Sequence, residues 1–275
     1  MFHVKQMLKK DILINKVKDF IVSKEYFNIY KDLKTGIVWT DVHRLHDHFA
    51  YYKSQKYIPH SERKGFFGFF YNFFQKLNFR YKRVVLKASL KKSKVILDYG
   101  SGDGKFAEYL EKKGNTIIIY DPLNKKQNLI SGQNVDNQLD IIMMWHVLEH
   151  IPDLQQTFPQ VIKKLNKTGL LIVAVPNRDC FDAKHYKSNW AAWDAPRHLF
   201  HFNHKSLEDL MTSYNFTLVS KKPLFLDSFY VSYLSEKYKK SYFPIFFGFI
   251  IGFVSNCLAI ITTNYSSSIY VFKRN

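Results

Sequence analysis

Cysteine is almost missing from this 275-residue chain. The two copies, Cys180 and Cys257, stand far apart and in no metal-ligand spacing, which argues against both a disulfide framework and a zinc ribbon. Acidic residues are scarce too, 23 against 41 Lys plus Arg, for a formal charge of +18. An acidic, solvating disordered chain is thereby excluded, as is disorder generally at 46% hydrophobic content. Internal repeats and low-complexity tracts are absent, which removes solenoids and fibres. The opening residues, MFHVKQMLKKD, lack a cleavable signal pattern, so a reducing cytoplasm is expected. Between Lys240 and Lys273 there is no charge at all.

What is present is unevenly placed. Residues 1–95 hold 17 Lys and 4 Arg against 7 acidic residues, a net of +14. Such a surface attracts nucleic acid, anionic lipid or phosphorylated substrates, or is simply a solvated, soluble face, and no nucleic-acid motif accompanies it. "EYFNIYKDLKTGIVWTDV" predicts a small hairpin arm with Thr35 and Gly36 at its turn. Residues 66–90 mix apolar and basic positions at helical spacing and predict a linking helix. The expected division is an arm over 1–65 and a larger domain over 66–275.

From Lys94 onward strands alternate with helices. "KVILDYG", "TIIIYD", "LDIIMMWH" and "LLIVAVP" read as buried strands; "KFAEYLEKKG" reads as a helix closed by Gly114, and "LQQTFPQVIKKLNKTG" as one ending at Gly169. That alternation predicts an α/β fold, a doubly wound and mainly parallel sheet. A helix follows at "SLEDLMTSY", where Ser206 and Asp209 have capping-box spacing. Then "FTLVSKKP" and "SSIYVFKR" predict two late strands, paired antiparallel at one sheet edge.

In an open parallel sheet, ligands bind beyond the strands' carboxyl ends, which places "LDYGSGDGKF" at a binding position. Gly100, Gly102 and Gly104 let a ligand approach the backbone. A dinucleotide fingerprint would need glycine at 105, where Lys105 stands, so a nicotinamide cofactor is disfavoured.

"LDYGSGDGKF" resembles motif I, D-x-G-x-G-x-G, of class I S-adenosylmethionine-dependent methyltransferases. "IIIYDP", "DIIMMWHVLEHIPD" and "GLLIVAVPN" follow in that family's order. The resemblance implies a Rossmann-like fold, S-adenosylmethionine as cofactor, and cofactor contacts from Asp98, Gly100, Ser101, Gly102, Asp121, Trp145, His146 and Glu149. Asp121, closing the second strand, would accept both ribose hydroxyls. A longer likeness, through "YYKSQKYIPHSERKGFFGFFYNFF", "WAAWDAPRHLFHFNHKSLEDLM" and "DSFYVSYLSEKY", is to a bacterial subgroup with a cysteine-rich zinc arm. Here Asp32 and Thr35 occupy the C-x-x-C places, so no structural zinc is expected. Only seventeen residues, 123–139, separate Pro122 from Asp140. They leave room for a minimal third strand at 128–131, with Gln133, Asn134 or Asp136 beside the adenine.

Histidines crowd the rim. "HVLEH" and "PRHLFHF" supply His146, Glu149, His150, His198 and His201. For a hydroxyl acceptor the enzyme must withdraw a proton, and a neutral histidine suits that near pH 7, so His146 and His150 are the candidate catalytic residues. Arg197 and His198 are candidate substrate-binding residues. H-x-x-E-H partly matches the E-x-x-E-H by which two metal-dependent methyltransferase groups bind a divalent ion; local capping by Glu149 and His150 is the simpler reading, and no metal is expected. His43, His46, His48 and His60 fit no metal spacing.

The expected activity is O-methylation of a small or lipid-linked acceptor, for example a surface-polysaccharide sugar, since an N-P-P-Y-type loop for amino acceptors is missing. The alternatives are a non-catalytic binding module and an RNA methyltransferase. "FPIFFGFIIGFVSNCLAIITT" is long enough to span a bilayer, but Ser255 and Asn256 interrupt it and a core strand follows. A hydrophobic helical insertion near 228–263, either buried or touching an anionic membrane without crossing it, is expected.

Overall fold

The computed structural model describes residues 11–43, 45, 50–53, 77–86, 94–122 and 138–275. The expected strand at 128–131, the adenine-side residues 133, 134 and 136, and His46, His48 and His60 lie outside the described residues.

Two sheets organise the chain. The smaller holds β1 (Asp11–Lys18), β2 (Tyr26–Asp32), β3 (Val38–Thr40) and the two-residue β8 (Phe200–His201), in that order and all antiparallel. The β2–β3 turn is where Thr35 and Gly36 predict it: the Thr35 hydroxyl donates to Asp32 at 2.6 Å, and Gly36 has φ +69°. β1 is not apparent in the sequence, because Ile12, Leu13 and Ile14 are exposed and a bulge at Leu13/Asn15 breaks its alternation. β8 comes from the larger domain, so the arm's sheet is completed by "LFHF". A short helix, α1 (Ala50–Lys53), follows the arm, and residues 77–86 form α2, the described part of the linking helix.

The larger sheet has the order β5 (Thr116–Tyr120), β4 (Val95–Tyr99), β6 (Leu139–Trp145), β7 (Leu165–Pro176), β10 (Ser267–Arg274), β9 (Phe216–Pro223). The first four are parallel; β10 runs antiparallel to both β7 and β9. This is a Rossmann-like α/β fold with an antiparallel edge. Strand residues alternate between two apolar layers. Leu97, Ile142 and Met144 enter a core with α4 (Leu154–Ile162) and α6 (His204–Ser213), whereas Ile96, Ile141 and Met143 pack with α2 and α3 (Lys105–Glu111). Burial on both faces is why these strands read as continuous apolar runs.

Two boundaries differ from the sequence reading. α4 stops at Ile162, not at Gly169, because Leu165 is drawn into the sheet opposite Leu139 and β7 begins there. α6 is capped by Asn203, whose side chain accepts from Ser206 N–H while Ser206 Oγ accepts from Asn203 N–H; the box is Asn203/Ser206, one turn earlier than Ser206/Asp209.

The remaining elements are α5 (Phe181–Tyr186) and a helical hairpin inserted before β10, α7 (Phe225–Tyr238) and α8 (Pro244–Thr262). α8 faces inward with its small residues. Gly248, Gly252, Ser255 and Ala259 are its buried positions, and a Cβ on Gly248 would lie 2.6 Å from the Tyr233 Cα. Ser255 donates to Asp182 at 2.7 Å; that buried carboxylate also accepts from Trp190 Nε1 and Ser266. The large side chains point out: Ile245, Phe246, Phe249, Phe253, Ile260 and Ile261 are each more than half exposed. This reverses the usual amphipathic arrangement.

The close α7–α8 contact is testable. Gly248→Ala is expected to lower stability by about 1–3 kcal/mol in urea unfolding, because its methyl meets backbone. Ile261→Ser, on the open face, should change it by less than about 0.5 kcal/mol. Equal effects would contradict the described packing.

Candidate active site

The carboxyl ends of β4, β5, β6 and β7 open into a cleft of about 1420 Å³, closed on its far side by α7, the β1–β2 connection and Tyr52. The cleft is larger than the ~300–1,000 Å³ that a single drug-sized ligand needs. Of the expected site residues, Gly100, Gly102, Asp121, Trp145, His146, His150 and His198 line it; Asp98, Ser101, Glu149 and Arg197 stand behind the wall.

The glycine turn follows β4. Gly100 has φ +78°, and a Cβ there would fall 2.3 Å from a Val147 methyl, so the position requires glycine twice over. Gly102 N–H donates to Asp121 Oδ2 at 2.8 Å, tying the turn to the end of β5. Gly100 and Ser101 N–H both donate to the Tyr120 carbonyl. Asp98 is buried below. Burial raises its carboxyl to about 7, against the lowering charge of Lys82 and with the help of Asp121. Lys82, from α2, lies 4.3 Å from the Trp145 ring centre. These bare backbone positions and the flanking carboxylate fit a nucleoside cofactor.

The second part of the site follows β6. His146 takes φ +55°, an unusual conformation for so large a side chain, and is held on both ring nitrogens. Nδ1 is 3.4 Å from Glu149 and Nε2 3.1 Å from Asp227 of α7. Burial would lower the imidazole, but hydrogen bonds and charge from Asp227 and Glu149 outweigh it and lift the group to about 9. His146 therefore has no free lone pair, which corrects the expectation that it removes a proton.

His150 is different. Its Nδ1 is 3.0 Å from the Arg197 carbonyl and 2.8 Å from the Tyr52 hydroxyl. A carbonyl only accepts, so the proton sits on Nδ1 and Nε2 keeps its lone pair. Burial moves His150 down to about 4, so it stays neutral. His198 is fixed the same way, with Nδ1 2.8 Å from the Ala192 carbonyl. Glu149 is 1% exposed, and its Oε2 has no hydrogen-bond partner among the described residues. Ligand atoms of Glu149, His150 and His198 lie within 4.8 Å of one another.

Arg197 does not reach the cleft. It is 1% exposed, and Nη2 donates to Asp194 at 2.6 Å and to Asp19 at 3.1 Å. This corrects its assignment as a substrate contact: it is a strut between the arm and the "WDAPRH" loop. Tyr52, Lys82, Asp227 and Tyr238 are site-forming residues that sequence reasoning did not reach, since each comes from a segment distant from the motifs.

Gly100→Ala and Gly114→Ala separate conformational strain from the wall contact, because both glycines have positive φ but only Gly114 has open space around its missing Cβ. Gly100→Ala should weaken S-adenosylhomocysteine binding at least about tenfold by displacing Val147, a drop of ~1.4 kcal/mol. Gly114→Ala should only lower stability by roughly 1 kcal/mol. Unchanged affinity in a folded Gly100→Ala protein would contradict this site.

A family model described as "Methyltransferase domain" matches residues 73–221. No curated protein gives a match. Among solved structures, the chain is similar to 1,6-didemethyltoxoflavin-N1-methyltransferase of Burkholderia thailandensis, at 15% identity and TM-score 0.44, covering 72% of this chain and 78% of that one. It is also similar to a SAM-dependent methyltransferase of Archaeoglobus fulgidus, at 16% and 0.44, covering 73% and 94%. A third likeness is to magnesium protoporphyrin IX methyltransferase of Synechocystis PCC 6803, at 12% and 0.45, covering 78% and 89%. The family match spans more than half of the chain and contains all of the cofactor motifs from β4 to β7, so the chain belongs to the methyltransferase-domain family and is a class I S-adenosylmethionine-dependent methyltransferase.

Proposed function

We propose that the enzyme O-methylates a hydroxyl of a small or lipid-linked acceptor, such as a surface-polysaccharide sugar, while docked on an anionic membrane surface. The observation that carries this reading is the position of α7. One side of it lines the cleft with Asp227, Tyr230, Leu234 and Lys237, and another packs on α8, whose apolar side chains face away from the protein. A membrane against α8 would bring a lipid-borne acceptor beside the cleft. α8 is long and apolar enough to cross a bilayer, with mean hydropathy 2.2. Yet Ser255 is bonded to buried Asp182, and β10 follows in the sheet, so surface docking suits the fold better than spanning. Lys237, Lys239 and Lys240 at the end of α7, with Lys18 and Lys24 on the cleft, supply the positive charge for an anionic leaflet.

On the cofactor side, Gly100 and Gly102 would lie against the nucleoside, Asp121 would accept the ribose hydroxyls, and Trp145 and His146 would bound the methionine end, with Asp98, Ser101 and Glu149 supporting from behind. When bound, S-adenosylmethionine supplies an electrophilic methyl: the acceptor oxygen forms the new O–C bond, the S–C bond breaks with its pair left on sulfur, and the hydroxyl proton is lost. Positioning supplies much of the rate. The proton-withdrawing role falls to the lone pairs gathered at His150, the member with Nε2 directed away from its backbone contacts. His198 beside it would help to seat the acceptor.

Incubation of the protein and methyl-labelled cofactor with fractionated cell extract tests the chemistry, with label expected on oxygen in the lipid-extractable fraction. Label on a ring nitrogen or carbon would refute it. Docking is tested by sedimentation with vesicles: binding to anionic vesicles should decline as salt rises. Equal recovery in the supernatant with neutral and anionic lipid would reject docking, and resistance to both high salt and carbonate would show a spanning helix instead.

A further inference from the structure

The lone-pair cluster at the acceptor side has the properties of a metal site. We propose that Glu149, His150 and His198 bind a divalent first-row transition ion, which activates the acceptor hydroxyl. The inference deepens the O-methyltransferase reading and rests on it for the ion's role, but not for its binding.

Three observations converge. First, each histidine has its Nδ1 on a backbone carbonyl, Arg197 for His150 and Ala192 for His198, which leaves both Nε2 atoms as acceptors, that of His198 lying 4.0 Å from Asp194 Oδ2. Metal-ligating histidines are usually oriented in this way. Second, the carboxylate between them is buried and unsatisfied at Oε2. A charge so placed is costly without a cationic partner. His146 takes part of it, at 3.4 Å from Oε1, a long contact that leaves the other oxygen over. Third, the ligand atoms lie within 4.8 Å of one another, and metal–ligand bonds of about 2.1 Å bring such atoms to roughly 3–3.5 Å, a change within reach of small side-chain rotations.

The donor set fixes the class of ion. Two imidazoles and one carboxylate suit zinc, manganese, iron or cobalt, whereas magnesium and calcium prefer oxygen alone. Three protein ligands leave positions open, and His150 and His198 both line the cleft, so the open side faces the acceptor. A hydroxyl on the ion loses its proton more readily, and the proton passes to water. With the ion in place His150 and His198 act as ligands and His150 gives up the role of proton acceptor, while Arg197, the strut whose carbonyl holds His150, acts as a positioning residue.

The full chain, stripped with a chelator and shown to be folded by circular dichroism, is titrated with cobalt(II) alone and followed by visible absorption and calorimetry. One saturable site with d–d bands is expected, displaced by zinc(II). Glu149→Gln and His198→Gln should each weaken cobalt binding roughly tenfold or more. No saturable binding by the folded wild type overturns the proposal, as do folded variants that bind cobalt as the wild type does. Should a variant fail to fold, the wild-type spectrum decides: imidazole and carboxylate ligation supports the site, and its absence rejects it. S-adenosylhomocysteine is titrated into the same sample, so that cofactor binding without cobalt binding removes the metal site alone, whereas failure of cofactor binding removes the methyltransferase reading.

Discussion

A buried guanidinium holds together the side of the cleft that faces the glycine turn. Arg197 is gripped by Asp194 within its own loop and by Asp19 from the arm, and Asp19 is itself fixed by N–H groups of Ile21, Val22 and Ser23. Burial raises the Asp19 carboxyl, but those N–H groups and Arg197 outweigh it, and the group stays ionised. Breaking one partner of such a cluster costs about 3–5 kcal/mol, because a charge is left buried alone. The consequence reaches the site through the backbone. The Arg197 carbonyl accepts from Tyr52 Oη and from His150, and the next residue is His198. Three residues of the cleft therefore take their positions from one ion cluster, whose Asp194 also lines the cleft while Arg197 stays behind it.

The two sides of the cleft are built differently. The cofactor side is local: a strand, a bare turn and a carboxylate at the next strand's end, all within 95–122. The opposite side, where the acceptor is proposed to bind, is assembled from the arm, the β6 loop, the "WDAPRH" loop and α7. His146 joins the two, bridging Glu149 of its own loop to Asp227 of α7. The helical hairpin borders the cleft through α7 and carries the exposed apolar face on α8, so under the docking proposal one element would serve both substrate delivery and substrate binding.

That difference explains what could be read in the sequence. Gly100, Gly102 and Asp121 were legible because their spacing encodes a turn whose contacts are mostly with itself. The parallel order of β4 to β7 and the antiparallel edge followed from apolar runs and their separations. Arg197 was not legible, since its partner Asp19 is 178 residues away and only the fold shows which acid takes it. The same holds for Asp227, which decides that His146 is a bridge and not a base. α8 was legible as apolar, but its direction was not: hydropathy counts side chains without showing that the glycine and serine stripe faces inward.

Every role assigned to the cleft depends on cofactor binding at the glycine turn. Calorimetric titration of the full chain with S-adenosylhomocysteine tests it most directly, with one site expected per chain and at least about a hundredfold loss in Asp121→Ala, ~2.7 kcal/mol. A folded wild-type protein that binds no S-adenosylhomocysteine, or an Asp121→Ala variant that binds it as tightly as the wild type, would contradict the account.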